Sequence, residues 1–289
     1  MDDDAALAWR FEEQRPRLRS VAYRMLGSVG EADDAVQEAW LRLSRAGAEG
    51  IENLPAWLTT VVGRLCLNML RARDNRREDP LDGAVPEPED VADPEREAVL
   101  AESVGLAMLV VLDTLAPAER VAFVLHDMFA VPFDEIGTLI ERTPIAARQL
   151  ASRARRRVKG APAAAGDTAL TGQRRLVEAF LAASRGGDLD ALVAVLDPDM
   201  VLHADRSAGP TPEPIDVRGN RRIAQGAMLA SGRIPFTEPA LVNGRVGLVM
   251  APYGRLRLVL AFTFAGGLIT GIDVVADQDR LRDVTIEVL

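Results

Sequence analysis

The chain has 289 residues, 43 Asp+Glu against 34 Lys+Arg, and a formal net charge of −9. That balance excludes a uniformly basic nucleic-acid coat but not a local basic face. The length predicts about two domains. No apolar run approaches the roughly eighteen residues of a membrane span, and the start, MDDDAALAWRFEEQ, is acidic where a signal peptide is basic. One cysteine, Cys66, and two histidines exclude a disulfide framework and argue against a zinc cluster, so a reducing cytoplasm is the expected location.

Residues 5 to 45 read as helices. Leu18, Val21, Ala22, Met25 and Leu26 recur at helical spacing, and GSVGEADD supplies a break and a new start. The next helix places Ala32, Ala35, Val36, Ala39 and Leu43 on one face, leaving Asp34, Gln37, Glu38, Leu41 and Arg42 on the other. After the glycine-bearing loop AGAEGIENLPA comes a third helix with Leu58, Val61, Val62, Leu65 and Met69 inward. It ends in RARDNRRED, a cationic end that a helix C-terminus accepts on electrostatic grounds alone.

From Asp79 to Glu97, DPLDGAVPEPEDVADPERE carries four prolines and eight acidic residues against one arginine, and reads as a linker. Helices resume near Ala98 and run to Leu112. A further helix starts at LAPAER, with Pro117 in its first turn and Val121, Val124, Leu125 and Met128 on its apolar face.

The stretch TPIAARQLASRARRRVKG is out of character. From Arg148 to Lys159 it holds six basic residues and no acidic one. Projected as a helix, Ala147, Leu150, Ala151, Ala154 and Val158 form one stripe. Ile145, Gln149, Ser152 and Arg156 point the other way, flanked by Arg148 and Arg153. A solvated cationic face is the simplest reading of such a run. The preceding segment PFDEIGTLI, with Phe133, Ile136 and Ile140 inward, and the four residues ERTP favour a helix-turn-helix instead. In that motif the second helix enters the major groove; arginine suits guanine and glutamine adenine, and Ser and further Arg side chains suit phosphates.

A second linker, GAPAAAGDTALTG, precedes helices expected at Leu176–Ala183 and Leu189–Leu196. The segments DMVLHAD, ALVNGRVGLVM, RLRLVLAFTF and LITGIDVVA, with glycine turns between, predict an antiparallel sheet and hence a separate α+β domain. His203 and Asp205 fall on one strand face and could meet a pocket there. Two such residues are thin support for catalysis, and no cofactor or metal signature accompanies them.

These blocks resemble a bacterial sigma factor of the extracytoplasmic-function (ECF) group over about residues 8 to 160. YRMLGSVGEADDAVQEAWLRL resembles its region two, LPAWLTTVVGRLCLNMLRARDNRRED the part that reads and melts the minus-ten element, and LAPAERVAFVLHDMFAVPFDEIGTLIERTPIAARQLASRARRRV region four, which reads the minus-thirty-five element. The resemblance implies that Asp33, Asp34, Gln37 and Glu38 dock the clamp helices of the RNA polymerase β′ subunit. It implies that the loop Ala46–Ala56 captures a flipped base and that Asn68, Arg71 and Arg73 meet promoter backbone. In region four, Arg148, Gln149, Ser152, Arg153 and Arg156 would contact DNA. In this family the acidic linker threads the RNA path of the polymerase; a plain solvated spacer is the equal alternative.

Residues 168 to 289 resemble the SnoaL-like (NTF2-like) extension of SigJ-like ECF factors. The motifs WLPEP, DGGGK and NPDKL of that subgroup stand here as VPEP (Val85, Pro86, Glu87, Pro88), DRSAG (Asp205 to Gly209) and DQDRL (Asp277 to Leu281, including Asp279). The expected organisation is therefore multidomain. An all-α region two spans 1–78, a linker 79–97 and an all-α region four with the helix-turn-helix 98–160. A second linker, 161–172, leads to an α+β SnoaL-like domain over 173–289.

The expected function is promoter-directed transcription initiation with no enzymatic step, modulated by intramolecular contact of the C-terminal domain. Partners would be core polymerase and promoter DNA. An anti-sigma protein is a further partner the resemblance admits, and no membrane is involved. A helix-turn-helix regulator, or a DNA-targeted enzyme with an isomerase- or cyclase-like C-terminal domain, are the alternatives.

Overall fold

The computed structural model describes residues 2–78, 105–159, 168–209, 212–230 and 236–289. The VPEP residues Val85, Pro86, Glu87 and Pro88 lie outside this set. The chain forms two units, the first from residues 1–100 and 112–157 and the second from 101–111 and 158–289.

The first unit is helical. Helix α1 (Asp2–Leu26) and helix α2 (Val29–Ala46) flank a short break. Ser28 caps α2 by accepting a hydrogen bond from the Glu31 N–H at 3.4 Å, satisfying one of the donors that a helix start leaves free. The buried residues of α2 include Ala32, Ala35, Val36, Ala39 and Leu43, the stripe its spacing predicts. Phe11 of α1 meets Trp40 of α2 with ring centroids 5.1 Å apart.

Helix α3 (Leu54–Glu78) starts at Asn53, whose Oδ1 accepts from Ala56 N–H at 3.1 Å. Its buried surface is wider than one stripe, because Leu58, Val62, Cys66, Leu67 and Leu70 are all buried. The cause is packing on two sides. Helices α1 and α2 cover one, while α5 (Pro117–Phe123) and α6 (Phe133–Ile140) cover the other. Gly63 lies at the second approach, where a Cβ would stand 2.7 Å from the Leu139 Cδ1 methyl and that side chain would have to shift.

Between α5 and α6 the chain forms a single π turn, Val124–Met128. Arg120 of α5 is buried yet satisfied, with Nη1 3.2 Å from Asp113 Oδ1 and Nε donating to the Arg24 carbonyl at 3.4 Å. A buried arginine is tolerable only when so paired. Helix α7 (Pro144–Lys159) closes the unit's fold.

The division between the units falls inside helix α4 (Leu106–Asp113). This helix is apolar on every side, and Leu106, Ala107, Leu109, Val110, Val111 and Leu112 are all buried, as such a helix must be. Within the second unit its free N-terminal donor at Ala107 reaches Glu238 Oε2 at 3.4 Å.

The rest of the second unit is α+β. Helices α8 (Thr168–Gly186) and α9 (Leu189–Val195) lead into β1 (Leu196–Ala204), then β2 (Ile215–Arg218) and α10 (Asn220–Leu229). Strands β3 (Thr237–Val242), β4 (Arg245–Met250), β5 (Leu258–Ala265) and β6 (Leu268–Val275) follow, then α11 (Gln278–Arg282) and β7 (Ile286–Glu287). The strand order is β2-β1-β6-β5-β4-β3-β7.

The sheet is mixed rather than antiparallel throughout, because β1 pairs with β6 in parallel. Period-two patterning reports a strand's faces but not its neighbour, and β1 returns from α9 beside a strand 64 or more residues later in the chain. Strands β3 and β4 are joined by Asn243–Gly244, both at positive φ (50° and 75°), the backbone that a two-residue hairpin demands. Leu248, Phe262 and Ile272 of the sheet pack with Val177, Phe180, Leu181 and Leu192 of the helices in one core. Strand β2 and helices α10 and α11 were not expected from sequence patterning.

Candidate nucleic-acid interface

Helices α6 and α7 are joined by a turn in which Glu141 adopts φ 59° and Gly137 is pressed against backbone. A Cβ at Gly137 would stand 2.9 Å from Arg142 O and 3.1 Å from Pro144 N, so only glycine fits without moving the turn. Thr143 caps α7, its Oγ1 accepting from Ala146 N–H at 3.2 Å. The inner stripe of α7 is buried at Ala147, Ala151, Ala154 and Val158, with Leu150 half-buried. Small residues there bring the helix close to its neighbours and turn the rest of its surface outward.

The basic side chains of α7 divide into two groups. Arg155 is tied to Asp127 at 2.6 Å. Arg157 reaches the buried carboxylate of Glu119 at 3.5 Å, and Arg153 approaches the same carboxylate at 3.9 Å. Arg155 and Arg157 thus anchor the helix, while Arg153 stands between anchoring and the exposed face.

Arg148, Gln149, Ser152 and Arg156 are exposed, and among the described residues no side-chain hydrogen bond or ion pair to the protein is seen for any of them. Arg148 is nevertheless oriented. Its guanidinium carbon lies 5.4 Å from the centroid of the Phe133 ring, and Phe133 stacks on His126 at 3.8 Å. Such a cation–π contact is worth about 0.5–1 kcal/mol at an exposed site. The stack behind Arg148 escaped sequence reasoning, which placed Phe133 simply inward.

On α3, Asn68 and Arg71 are exposed. Arg73 is half-buried, donates to the Leu26 carbonyl at 3.0 Å and forms an ion pair with Glu31. On α2, Asp33, Asp34 and Gln37 are exposed, and Glu38 is half-buried beside Arg42 at 3.0 Å. Arg19 grips Asp33 with two contacts of 2.7 and 3.0 Å. Arg15, Arg19, Asp33, Gln37 and Trp40 line an open hollow of about 490 Å³.

In the second unit the DRSAG and DQDRL segments meet. Asp205 Oδ2 accepts from the N–H groups of Ala276 (3.0 Å) and Asp277 (2.9 Å) and lies 3.4 Å from Arg280 Nη1. Its Oδ1 accepts from Ser207 N–H at 3.1 Å. Burial alone would raise the Asp205 pKa, but these backbone donors and Arg280 outweigh it and hold the carboxyl below its usual value. A general base needs the opposite shift. Asp279 does not join this cluster; it faces Arg282 at 2.9 Å in solvent. Arg280 also reaches Asp273 at 3.2 Å, so it is the hub that ties the two segments to the sheet.

The strand register sets the face on which His203 stands, and Asp205 follows directly after the end of β1. Leu202 pairs with Ile272 on the helix-packed side, so His203, opposite Asp273, sits on the other face of the sheet. There His203 Nδ1 lies 2.7 Å from Asp216 Oδ1. Among the described residues no cluster suited to a metal ion is found, and no helix is long and apolar enough to cross a membrane.

An all-α unit that closes with an arginine- and glutamine-faced helix on a tight turn is a helix-turn-helix protein, here extended by an α+β domain. Comparison with known proteins narrows the class. Residues 10–76 match the Sigma-70 region 2 family model and residues 106–158 the model of Sigma-70, region 4. The chain is 41% identical over 251 residues to the ECF RNA polymerase sigma factor SigJ of Mycobacterium tuberculosis, covering 83% of this chain and 80% of that one. It is 36% identical to the probable ECF RNA polymerase sigma factor SigI of the same species, over 99% of this chain and 97% of that one. The crystal structure of M. tuberculosis SigJ aligns with 95% of this chain and 98% of its own, at 34% identity and a TM-score of 0.45. The chain belongs to the ECF family of RNA polymerase sigma factors.

Proposed function

We propose that the protein directs core RNA polymerase to its promoters through two reading surfaces and that its C-terminal domain modulates this activity. The exposed row Arg148, Gln149, Ser152 and Arg156, set outward by the buried alanine stripe of α7, carries the reading. In the major groove Arg148 and Gln149 are placed to meet base edges of the minus-thirty-five element. Ser152, Arg153 and Arg156 serve phosphates.

Asn68, Arg71 and Arg73 of α3 take the backbone near the minus-ten element, and the loop Ala46–Ala56 receives an unstacked base. Asp33, Asp34, Gln37 and Glu38 of α2 meet the clamp helices of the β′ subunit. The protein performs no covalent chemistry, and the saturated, ionised state of Asp205 supports that reading. It works in the cytoplasm, where an anti-sigma protein is an additional regulator.

The motif residues Val85, Pro86, Glu87, Pro88, Asp205 and Asp279 are assigned to modulation by the C-terminal domain. Supporting this is helix α4: residues 106–111 at the start of the region-four match are part of the second unit, with Ala107 N–H on Glu238.

The test is binding of the reconstituted holoenzyme to a selected promoter duplex at several salt concentrations. Arg148→Ala and Gln149→Ala are expected to relax base preference, each losing about tenfold or more of discrimination, the worth of one good base contact. Arg156→Ala is expected to weaken binding to all sequences and to reduce the salt slope by about one. Unchanged preference in Arg148→Ala and Gln149→Ala, together with an unchanged salt slope in Arg156→Ala, would remove α7 from the reading surface.

A further inference from the structure

Ile145 is the second residue of α7 and is 71% exposed. The other large exposed apolar residues among those described, Trp9, Leu41, Val201, Leu229 and Leu289, lie outside α7. Neither packing nor helix propensity accounts for Ile145. A β-branched side chain at an exposed helical position is less favourable than alanine, lysine or glutamine. The side chain stands one turn before Arg148 and Gln149, the i+3 and i+4 neighbours that share its face. It thus projects from the N-terminal end of the helix, the end that reaches base edges in a helix-turn-helix. Of the groups displayed in the major groove, only the C5-methyl of thymine is apolar.

We propose that Ile145 is a specificity-determining residue that packs against the C5-methyl group of a thymine in the minus-thirty-five element. The site read by α7 then requires a T·A pair at one position beside those met by Arg148 and Gln149. This assignment rests on α7 being the reading helix.

The experiment isolates one methyl group. The full-length protein with core polymerase selects its preferred duplex from a pool randomised across the minus-thirty-five region. Each selected thymine is then replaced by uracil, which removes only the methyl and leaves every hydrogen-bonding group in place. For the wild-type holoenzyme, one such replacement is expected to weaken binding about fourfold, the worth of one buried methyl group. For Ile145→Ala the same replacement is expected to have no effect, because the partner of the methyl is gone.

The proposal is overturned if no thymine-to-uracil change is felt by the wild type. It is also overturned if the penalty persists in Ile145→Ala, or if Ile145→Ala weakens thymine and uracil duplexes equally from the wild-type level, which would place Ile145 against something other than that methyl. The broader reading fails separately: if Arg148→Ala and Gln149→Ala also leave selection unchanged, α7 does not read DNA at all. If those two shift the selected sequence and Ile145→Ala does not, only the role of Ile145 is lost.

Discussion

At the scale of single residues, the structure separates side chains that the sequence makes look alike. Arg155 and Arg157 stand in the same basic run as Arg148 and Arg156, yet the first pair is spent on Asp127 and Glu119. Cys66 is buried, and burial pushes its thiol up to about 12 despite the opposing charge of Arg120, so it is an inert core residue.

His203 carries a raised pKa. Its hydrogen bond to Asp216, aided by the charges of Asp216 and Asp273, raises its pKa against desolvation and Arg280. A raised folded pKa means that the protonated pair favours the folded state below the ordinary value of about 6.5. That contribution fades as pH rises through the raised value. Titration of the ring by NMR is expected to give a midpoint above the ordinary value in the native protein and a return toward it in Asp216→Asn. A midpoint unmoved by that substitution would mean the ion pair does not form in solution.

At the scale of elements, the helix-turn-helix depends on Gly137. Its missing Cβ faces backbone atoms rather than a flexible side chain, so Gly137→Ala is expected to destabilise the motif by about 1–3 kcal/mol, as overpacking does. Thermal unfolding measures the loss, and minus-thirty-five recognition should weaken with it. An unchanged midpoint would mean that the turn relaxes freely.

The helices of this unit and their buried stripes are legible in the sequence because a 3.6-residue period directly encodes which side is covered. The stripe Ala147–Ala151–Ala154–Val158 and the buried row of α2 are both readable in this way. The wider burial of α3 is not, because it arises from a second set of helices packed on its other side. Nor is the parallel pairing of β1 with β6, since alternation marks faces and not partners. The joining of Asp205 to Arg280 across 75 positions is set by the register of β1 on β6 and by α11, none of which has a local signature.

At the scale of the whole molecule, an acidic protein carries a concentrated cationic helix, and local placement outweighs the net charge of −9. The chain also passes from one unit to the other within α4, a helix too apolar to stand in water. Cutting the chain after Gly160 removes the rest of the unit to which residues 105–111 belong, including the Glu238 partner of Ala107.

Run-off transcription by core polymerase from a selected promoter, with full-length protein, with the chain ending at Gly160 and with neither, tests the central claim most directly. The account predicts initiation that requires the protein and is weaker with the shortened chain. Transcription that is no greater with the full-length protein than with core polymerase alone would contradict it.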